Sequence, residues 1–350
     1  MEFKQEGWLN VSMVNYLKNV IEAFPEHIVG RAATPAGERL FDIGDEKEAR
    51  PLEEERAIAF HHTTAQLLFM AARARRDIQT AVAFLTTTVK SPDEDDWGKL
   101  KRVLKYLNGK KYLKLSISVE NLGILKWYVD GSHSVHWDCK GHGGAMFTMG
   151  KGAMSSYSRK VKLNTRSSTE TELVVADMYM PEMLWSLYFM ESQGYEVECI
   201  GLHQDNTSTQ LLMKNGRFSS GKKTKHIRAK FFFIKDRIDD GEMIIVNCPT
   251  EGMWADILTK PLQGKAFRVM RSKLMNCKED YFENEEAEME LAKRKPVVGR
   301  VSRPGSTRPL QECVGRSAMS RGLAATDRRP IAESRTVRRR MQRPNERRGE

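Results

Sequence analysis

Three shortages narrow the field before any motif is read. The five cysteines, Cys139, Cys199, Cys248, Cys277 and Cys313, form no C-x-x-C pair and no Cys/His set at zinc spacing. That excludes a disulfide scaffold and a cysteine-rich zinc module, and free thiols in a reducing compartment are expected. No run approaches the ~18 apolar residues that a membrane span needs, so no membrane is expected to be involved. The opening MEFKQEGWLNVSMVNYL carries acids where a signal peptide would have an unbroken apolar core, so the expected location is intracellular, cytoplasmic or nuclear. Aromatic residues stop at Phe282, and beyond Asn276 the chain is dominated by Arg, Pro, Gly and Ser. Ordering such a segment would cost more entropy than burial returns, so 276–350 reads as a basic, disordered tail.

What is present is an ordinary globular composition with an excess of positive charge. Of the 350 residues 40% are hydrophobic, and 57 Lys and Arg against 46 Asp and Glu leave a net charge of +11. The length allows two domains. The charge speaks to partners rather than fold, and points to polyanions, nucleic acid first.

The chain changes grammar along its length. Residues 1–57 hold one helical stretch, VSMVNYLKNVIEAF, stopped by Pro25, and then a Pro, Gly and charge-rich loop. Residues 58–120 read as a mostly helical region, with an acidic first turn at Asp93–Asp96 that suits the helix dipole. From 121 to 275 strands take over. LGILKWYVD is nearly continuous apolar and fits a strand buried on both faces, while GGAMFTMGKGAMSSYSRKV reads as two strands joined around Gly150-Lys151-Gly152. A long helix follows, opened by Ser167 and Glu170 at capping-box spacing and interrupted by Pro181. VECIGLHQDN, TSTQLLMKNG, TKHIRAKFFFIKDRIDDG, EMIIVNC and MWADILTKPL then alternate strand and helix. Three strands, a helix and further alternation describe an α+β or α/β layer with a mixed sheet.

Four acids stand out by position. Asp130 ends the central strand, Glu172 lies one turn inside the long helix, Asp205 ends the next strand, and Asp256 sits in a short late helix. Alone, each has an ordinary role as a turn former, a dipole partner or a solvated side chain. Neighbouring strand ends with a helix packed across them can also bring all four to one sheet edge. Each ~4 Å pair would then repel by roughly 4 kcal/mol at an effective dielectric near 20, a penalty that divalent cations remove. Two ions so held can activate a water and stabilise the leaving oxygen of a phosphodiester. Hard oxygen ligands favour Mg²⁺, with Mn²⁺ as the other candidate, over zinc. Glu170 competes with Glu172 for the helix role. The spacing from Ser167 gives Glu170 to the cap, and a cap at Thr169 would reverse the two.

The motifs YVDGSH, RSSTETELVVAD, LHQDNTST, KKTKHIRAKFFFIKDRI and WADILTKPL, in this order, resemble the RNase H domain at the C-terminal end of copia-type long-terminal-repeat retrotransposon polyproteins. The resemblance implies an RNase H-like mixed five-stranded sheet flanked by helices. It also implies that Asp130, Glu172, Asp205 and Asp256 are the catalytic and metal-binding acids, serving two Mg²⁺ ions. Upstream, VSMVNYLKNVIEAFPE, ATPAGERLF and HHTTAQLLFMAARARRDIQTAVAFL resemble the segment after a reverse-transcriptase palm. On that reading 1–57 is a thumb remnant, 58–120 a helical connection and 121–275 the nuclease domain. The implied activity is metal-dependent cleavage of the RNA strand of an RNA:DNA hybrid, read by shape, phosphates and 2′-hydroxyls. Arg159, Lys160, Lys162 and Arg166 are the candidate strand contacts. The paired-aspartate box of the polymerase is not in this sequence: the polymerase half is lost, split off or outside it, and a separate reverse-transcriptase polypeptide is one candidate partner.

Two departures accompany the resemblance: Pro181 interrupts the helix of Glu172, and PTEGMWAD lacks the histidine that cellular RNase H enzymes carry shortly before the last acid, leaving His226 as the nearest upstream one. The rival functions are a catalytically inactive nucleic-acid-binding relic, and an integrase or transposase of the same fold class. An integrase would place its last acid as Glu on a long helix, which Asp256 does not match.

Overall fold

The computed structural model of the protein describes residues 2–4, 7–43, 50–216 and 228–279, without the side chains of 2–4 and 228–232. The basic tail from 280 onward and His226 lie outside the described residues.

The first strands are β1 (Glu2–Lys4) and β2 (Trp8–Val11), followed by helix α1 (Val14–Ala23). Helices α2 (Glu54–Arg73), α3 (Gln79–Thr88) and α4 (Glu94–Asn108) come next. The break between α2 and α3 has a buried cause. Arg75 turns inward, where Nε and Nη2 donate to Asp77 at 3.0 and 2.8 Å and Tyr106 Oη donates to the same carboxylate at 2.6 Å. Asp93 caps α4 through the backbone N–H of Asp96, and Trp97, Leu100, Val103, Leu104 and Leu107 form its buried stripe. The acidic run at 93–96 is thus a cap.

Residues 109–120 depart from the helical expectation. Strand β3 (Leu115–Val119) pairs antiparallel with β2, Trp8 opposite Ser118. With β1 and the two-residue β6 (Gly150–Lys151) it forms a four-stranded sheet in the order β1-β2-β3-β6. Its partners lie more than a hundred residues upstream and thirty downstream, so no local pattern announces it.

The larger sheet contains β4 (Ile124–Ser132), β5 (His142–Thr148), β7 (Ser155–Lys160), β8 (Cys199–Gln204) and β9 (Met243–Asn247), in the order β7-β5-β4-β8-β9. Its first three strands are antiparallel neighbours, whereas β8 and β9 run parallel to β4. This mixed order, three meandering strands and then two added by helical crossovers, is the RNase H-like arrangement. The crossovers are α5 (Ser168–Ser192), α6 (Thr207–Asn215) and α7 (Arg228–Asp239), and α8 (Gly264–Met275) closes the described chain.

Both faces of β4 are covered, which is why its sequence is nearly continuous apolar. Leu125, Trp127 and Val129 pack with α5 residues Leu173, Val175, Ala176 and Met180. Tyr128 and Met146, on the other face, join the core of α2–α4 and of the 3₁₀ turn Trp254–Leu258. Among the described residues the cysteines are free thiols, and no helix is long and apolar enough to cross a membrane.

Candidate active site

Register assembles the site. β4 and β8 lie side by side with Tyr128 opposite His203, so two residues further on Asp130 and Asp205 fall in one row across the sheet. β4 does not end at Asp130 but runs on to Ser132, because Gly131 and Ser132 remain paired with Gly143 and His142 of β5. The acid therefore sits within a paired strand, buried, rather than at a loose end.

Helix α5 reaches this row because Gly131 has no side chain. A Cβ there would lie 3.0 Å from Val175 Cγ2 and 3.2 Å from Glu172 Cα. The helix start is set by Ser167, whose Oγ accepts from the N–H of Glu170 at 3.2 Å, while the Glu170 carboxylate accepts from the N–H of Arg166 at 2.9 Å. Glu170 is thereby engaged at the cap, and Glu172, two residues on, turns to the strands. Asp130, Glu172 and Asp205 each offer a carboxylate oxygen, and these oxygens lie within 4.8 Å of one another.

Asp256 is not a member of that triad. It is buried on the 3₁₀ turn Trp254–Leu258, which crosses β5 at Gly144, the residue opposite Asp130. A Cβ at Gly144 would come within 2.7 Å of Leu258 Cβ. Lys260 links the fourth acid to the first, its Nζ standing 2.7 Å from Asp256 Oδ1 and 3.6 Å from Asp130 Oδ2.

The neighbours that hold the carboxylates lie inside LHQDNTST and WADILTKPL, but their spacing gives them no role toward the acids. Asn206 Nδ2 donates to Glu172 Oε1 at 3.1 Å and Thr209 Oγ1 to Oε2 at 3.2 Å. Thr259 Oγ1 donates to Asp130 Oδ2. Asn206 carried a signal only as the cap of α6, accepting from the N–H groups of Ser208 and Thr209. Lys260 carried one only as the i+4 neighbour of Asp256.

The electrostatics follow from burial and crowding. Burial pushes Glu172 up to about 7, with Asp130 and Asp205 adding to the rise while Asn206 and Thr209 oppose it. Burial and then Asp130 push Asp256 up to about 6, and Asp205 is raised by the same two causes. Lys260 is held above its usual value: burial works against its charge, but the carboxylates of Asp130 and Asp256 outweigh it. A set of close, hard oxygen donors that resists full ionisation is suited to a divalent cation.

Of the basic candidates, Arg159 and Lys160 end β7 and Lys162 and Arg166 follow it. Arg159 pairs with Glu182 at 3.3 Å and Lys160 with Asp138 at 2.9 Å, while Lys162 and Arg166 are exposed.

Against known proteins, 276 residues are 28% identical to the retrovirus-related Pol polyprotein from transposon TNT 1-94 of Nicotiana tabacum, covering 78% of this chain and 20% of that protein. A stretch of 205 residues is 30% identical to the Pol polyprotein from transposon RE2 of Arabidopsis thaliana, covering 58% of this chain and 14% of that protein. The chain is related to retrotransposon Pol polyproteins. It spans a fifth or less of the length of these two relatives. No family model matches it. Among solved structures, RNase H1 of the archaeon Halobacterium salinarum aligns over 39% of this chain and 95% of its own, at 13% identity and a TM-score of 0.29. The RNase H-like character of the fold lies in the strand order β7-β5-β4-β8-β9.

Proposed function

We propose that this Pol-related chain is a metal-dependent endonuclease that cuts the RNA strand of RNA:DNA hybrids. The observation that carries the reading is the convergence of Asp130, Glu172 and Asp205, from two strands and a helix, to oxygens within 4.8 Å of one another. Three such carboxylates repel one another in a protein environment, and a divalent cation removes that penalty.

Asp130, Glu172 and Asp205 would hold the ions, Mg²⁺ or Mn²⁺, with Asp256 beside them as the fourth acid. When bound, two such ions supply an activated water and a stabilised leaving oxygen. The chain's own part is orientation. Asn206 and Thr209 fix both oxygens of Glu172, Thr259 fixes Asp130, and Lys260 holds Asp256 close to the triad. Arg159, Lys160, Lys162 and Arg166 are proposed to contact the hybrid backbone. We assign 121–275 to the nuclease domain, 58–120 to the connection and 1–57 to a thumb remnant, with 276–350 a basic tail.

The test is magnesium-dependent cleavage of a labelled hybrid, with duplex DNA as control, by the whole chain and by Asp205→Asn. The substitution keeps size and removes one charged ligand. Cleavage should fall by orders of magnitude while binding survives. Equal cleavage by the variant, or no magnesium-dependent cleavage by the wild type, would replace this reading with the inactive binding relic.

A further inference from the structure

The strand β7 is the edge of the large sheet, yet its free side is neither bare nor fully closed. A groove of about 560 Å³ runs between it and helices α2 and α3. Edge strands are commonly covered to block unwanted pairing, and one contact here does that work. Gln79 Nε2 donates to the carbonyl of Ser156 at 2.7 Å, and Ser156 Oγ donates back to Gln79 Oε1 at 2.6 Å.

Arg76 is not explained in this way. It lines the groove and is only 8% exposed, yet its side chain's one hydrogen bond among the described residues is from Nη2 to the carbonyl of Met154, at 3.0 Å. Its Nε has no partner, and among the described residues no carboxylate pairs with it. A buried arginine ordinarily sits against an acid, because an isolated buried charge is costly. Here burial pushes the guanidinium down to about 10, with only Tyr157 acting against the shift. Arg159 and Lys160 also line the groove, and no acid does. The lining thus holds three cations and no acid, and of the three Arg76 alone has no carboxylate partner among the described residues, since Arg159 and Lys160 are paired with Glu182 and Asp138.

Its position gives that charge a use. Asp130 is opposite Gly144, and Gly144 is opposite Ser158, which lines the groove. Ser158 is thus two strand spacings, ~10 Å, from the acid row. It also donates to the carbonyl of Leu258 at 2.7 Å, on the turn that carries Asp256. A nucleic-acid strand seated over the carboxylates would pass this opening within a few nucleotides.

We propose that the groove between α3 and β7 holds a backbone phosphate of the bound hybrid, with Arg76 as its buried cation and Arg159 and Lys160 at its rim. The inference rests on the nuclease reading and adds to it a second, non-catalytic anchor for the substrate.

The experiment measures binding of a labelled RNA:DNA hybrid by the full chain in calcium buffer across a salt series. The variants are Arg76→Gln, Thr87→Glu and Thr87→Lys. Thr87 is an exposed residue on the groove wall, so its changes alter charge with little effect on folding, which a melting curve verifies. Arg76→Gln should lower the slope of log K against log salt by about 0.9, the loss of one phosphate contact. Thr87→Glu should weaken binding by roughly 3- to 10-fold at low salt and Thr87→Lys should strengthen it, because the groove's field acts on the phosphate. If Arg76→Gln does not fold, the Thr87 pair carries the test. Wild-type affinity and slope in both Thr87 variants, with the hybrid still bound, would overturn the groove alone. A wild type that binds no hybrid would overturn the nuclease reading, and the groove with it.

Discussion

Glu172 shows how one residue registers its surroundings. Without a divalent ion it keeps its proton up to about 7, and Asp256 up to about 6, both above the unfolded values of ~4.3 and ~3.9. Between those limits the folded state binds more protons than the unfolded one. This cluster's contribution to stability is therefore greatest at acid pH and falls as the pH rises through the window. An ion bound by the triad would do the protons' work at higher pH. The melting temperature in magnesium minus that in EDTA should be near zero at pH ~5 and reach on the order of 5 °C by pH ~7.5. Taking the difference cancels groups away from the cluster, including the buried His136 and His142, which burial depresses to about 4 and about 3. A gap that does not change with pH would mean that the ion does not compete with these protons. Glu172 and Asp205 were legible in the sequence, as acids one turn into a helix and at a strand end, and Asp130 as an acid of the central strand, but the continuation of that strand to Ser132 was not. Lys260, Asn206 and Thr209 were not, because a lysine four residues after an acid and an Asx cap are ordinary features of any helix.

At the scale of elements, the site depends on two close crossings over glycine. Helix α5 passes β4 at Gly131, and the 3₁₀ turn Trp254–Leu258 passes β5 at Gly144. The second is the tighter, since an added Cβ would meet the side chains of Leu258 and Thr259 at 2.7 and 2.8 Å and the Leu258 carbonyl carbon at 3.1 Å. Gly144→Ala should therefore push the turn outward, costing about 1–3 kcal/mol, and displace Thr259 from Asp130. Thermal melting should register the loss, and hybrid cleavage should fall further than stability alone explains. Wild-type melting and cleavage would show that the turn can shift without consequence. The capping signals read correctly from sequence, at Asp93 and at Ser167, because a cap is closed by residues three apart. Strand β3 was missed for the opposite reason. LSISV is short, and its partners β2 and β6 lie far away in the chain, so its pairing is decided by contacts that a local window does not contain.

At the scale of the whole molecule, the upstream helices are a wall of the large sheet rather than an appendage. Phe60, Leu67, Val82, Phe84, Leu100 and Leu104 share a core with Tyr128, Met146, Met253 and Leu258. A chain beginning at residue 121 would expose that face to water, and leaving a large core side chain exposed forgoes about 1.5–3 kcal/mol. Such a truncation should express as an aggregating or molten species by near-ultraviolet circular dichroism, whereas residues 1–279 should melt cooperatively. A cooperative melt of the 121–279 piece would show instead that the nuclease domain proposed above folds unaided.

The order of motifs from YVDGSH to WADILTKPL, the alternation of strand and helix, and the helix caps were determined by the sequence itself, since each depends on residues near one another in the chain. The relation to retrotransposon Pol polyproteins was readable for the same reason. Only the tertiary structure decided that Asp256 stands beside the triad with Lys260 between it and Asp130, that a second sheet ties residues 2–11 to 115–119, and that Arg76 is buried with no carboxylate beside it among the described residues. Each of these rests on contacts between distant segments. Their energies come from burial and from charges within a few ångströms, which depend on the packed whole and leave no period or spacing in the chain.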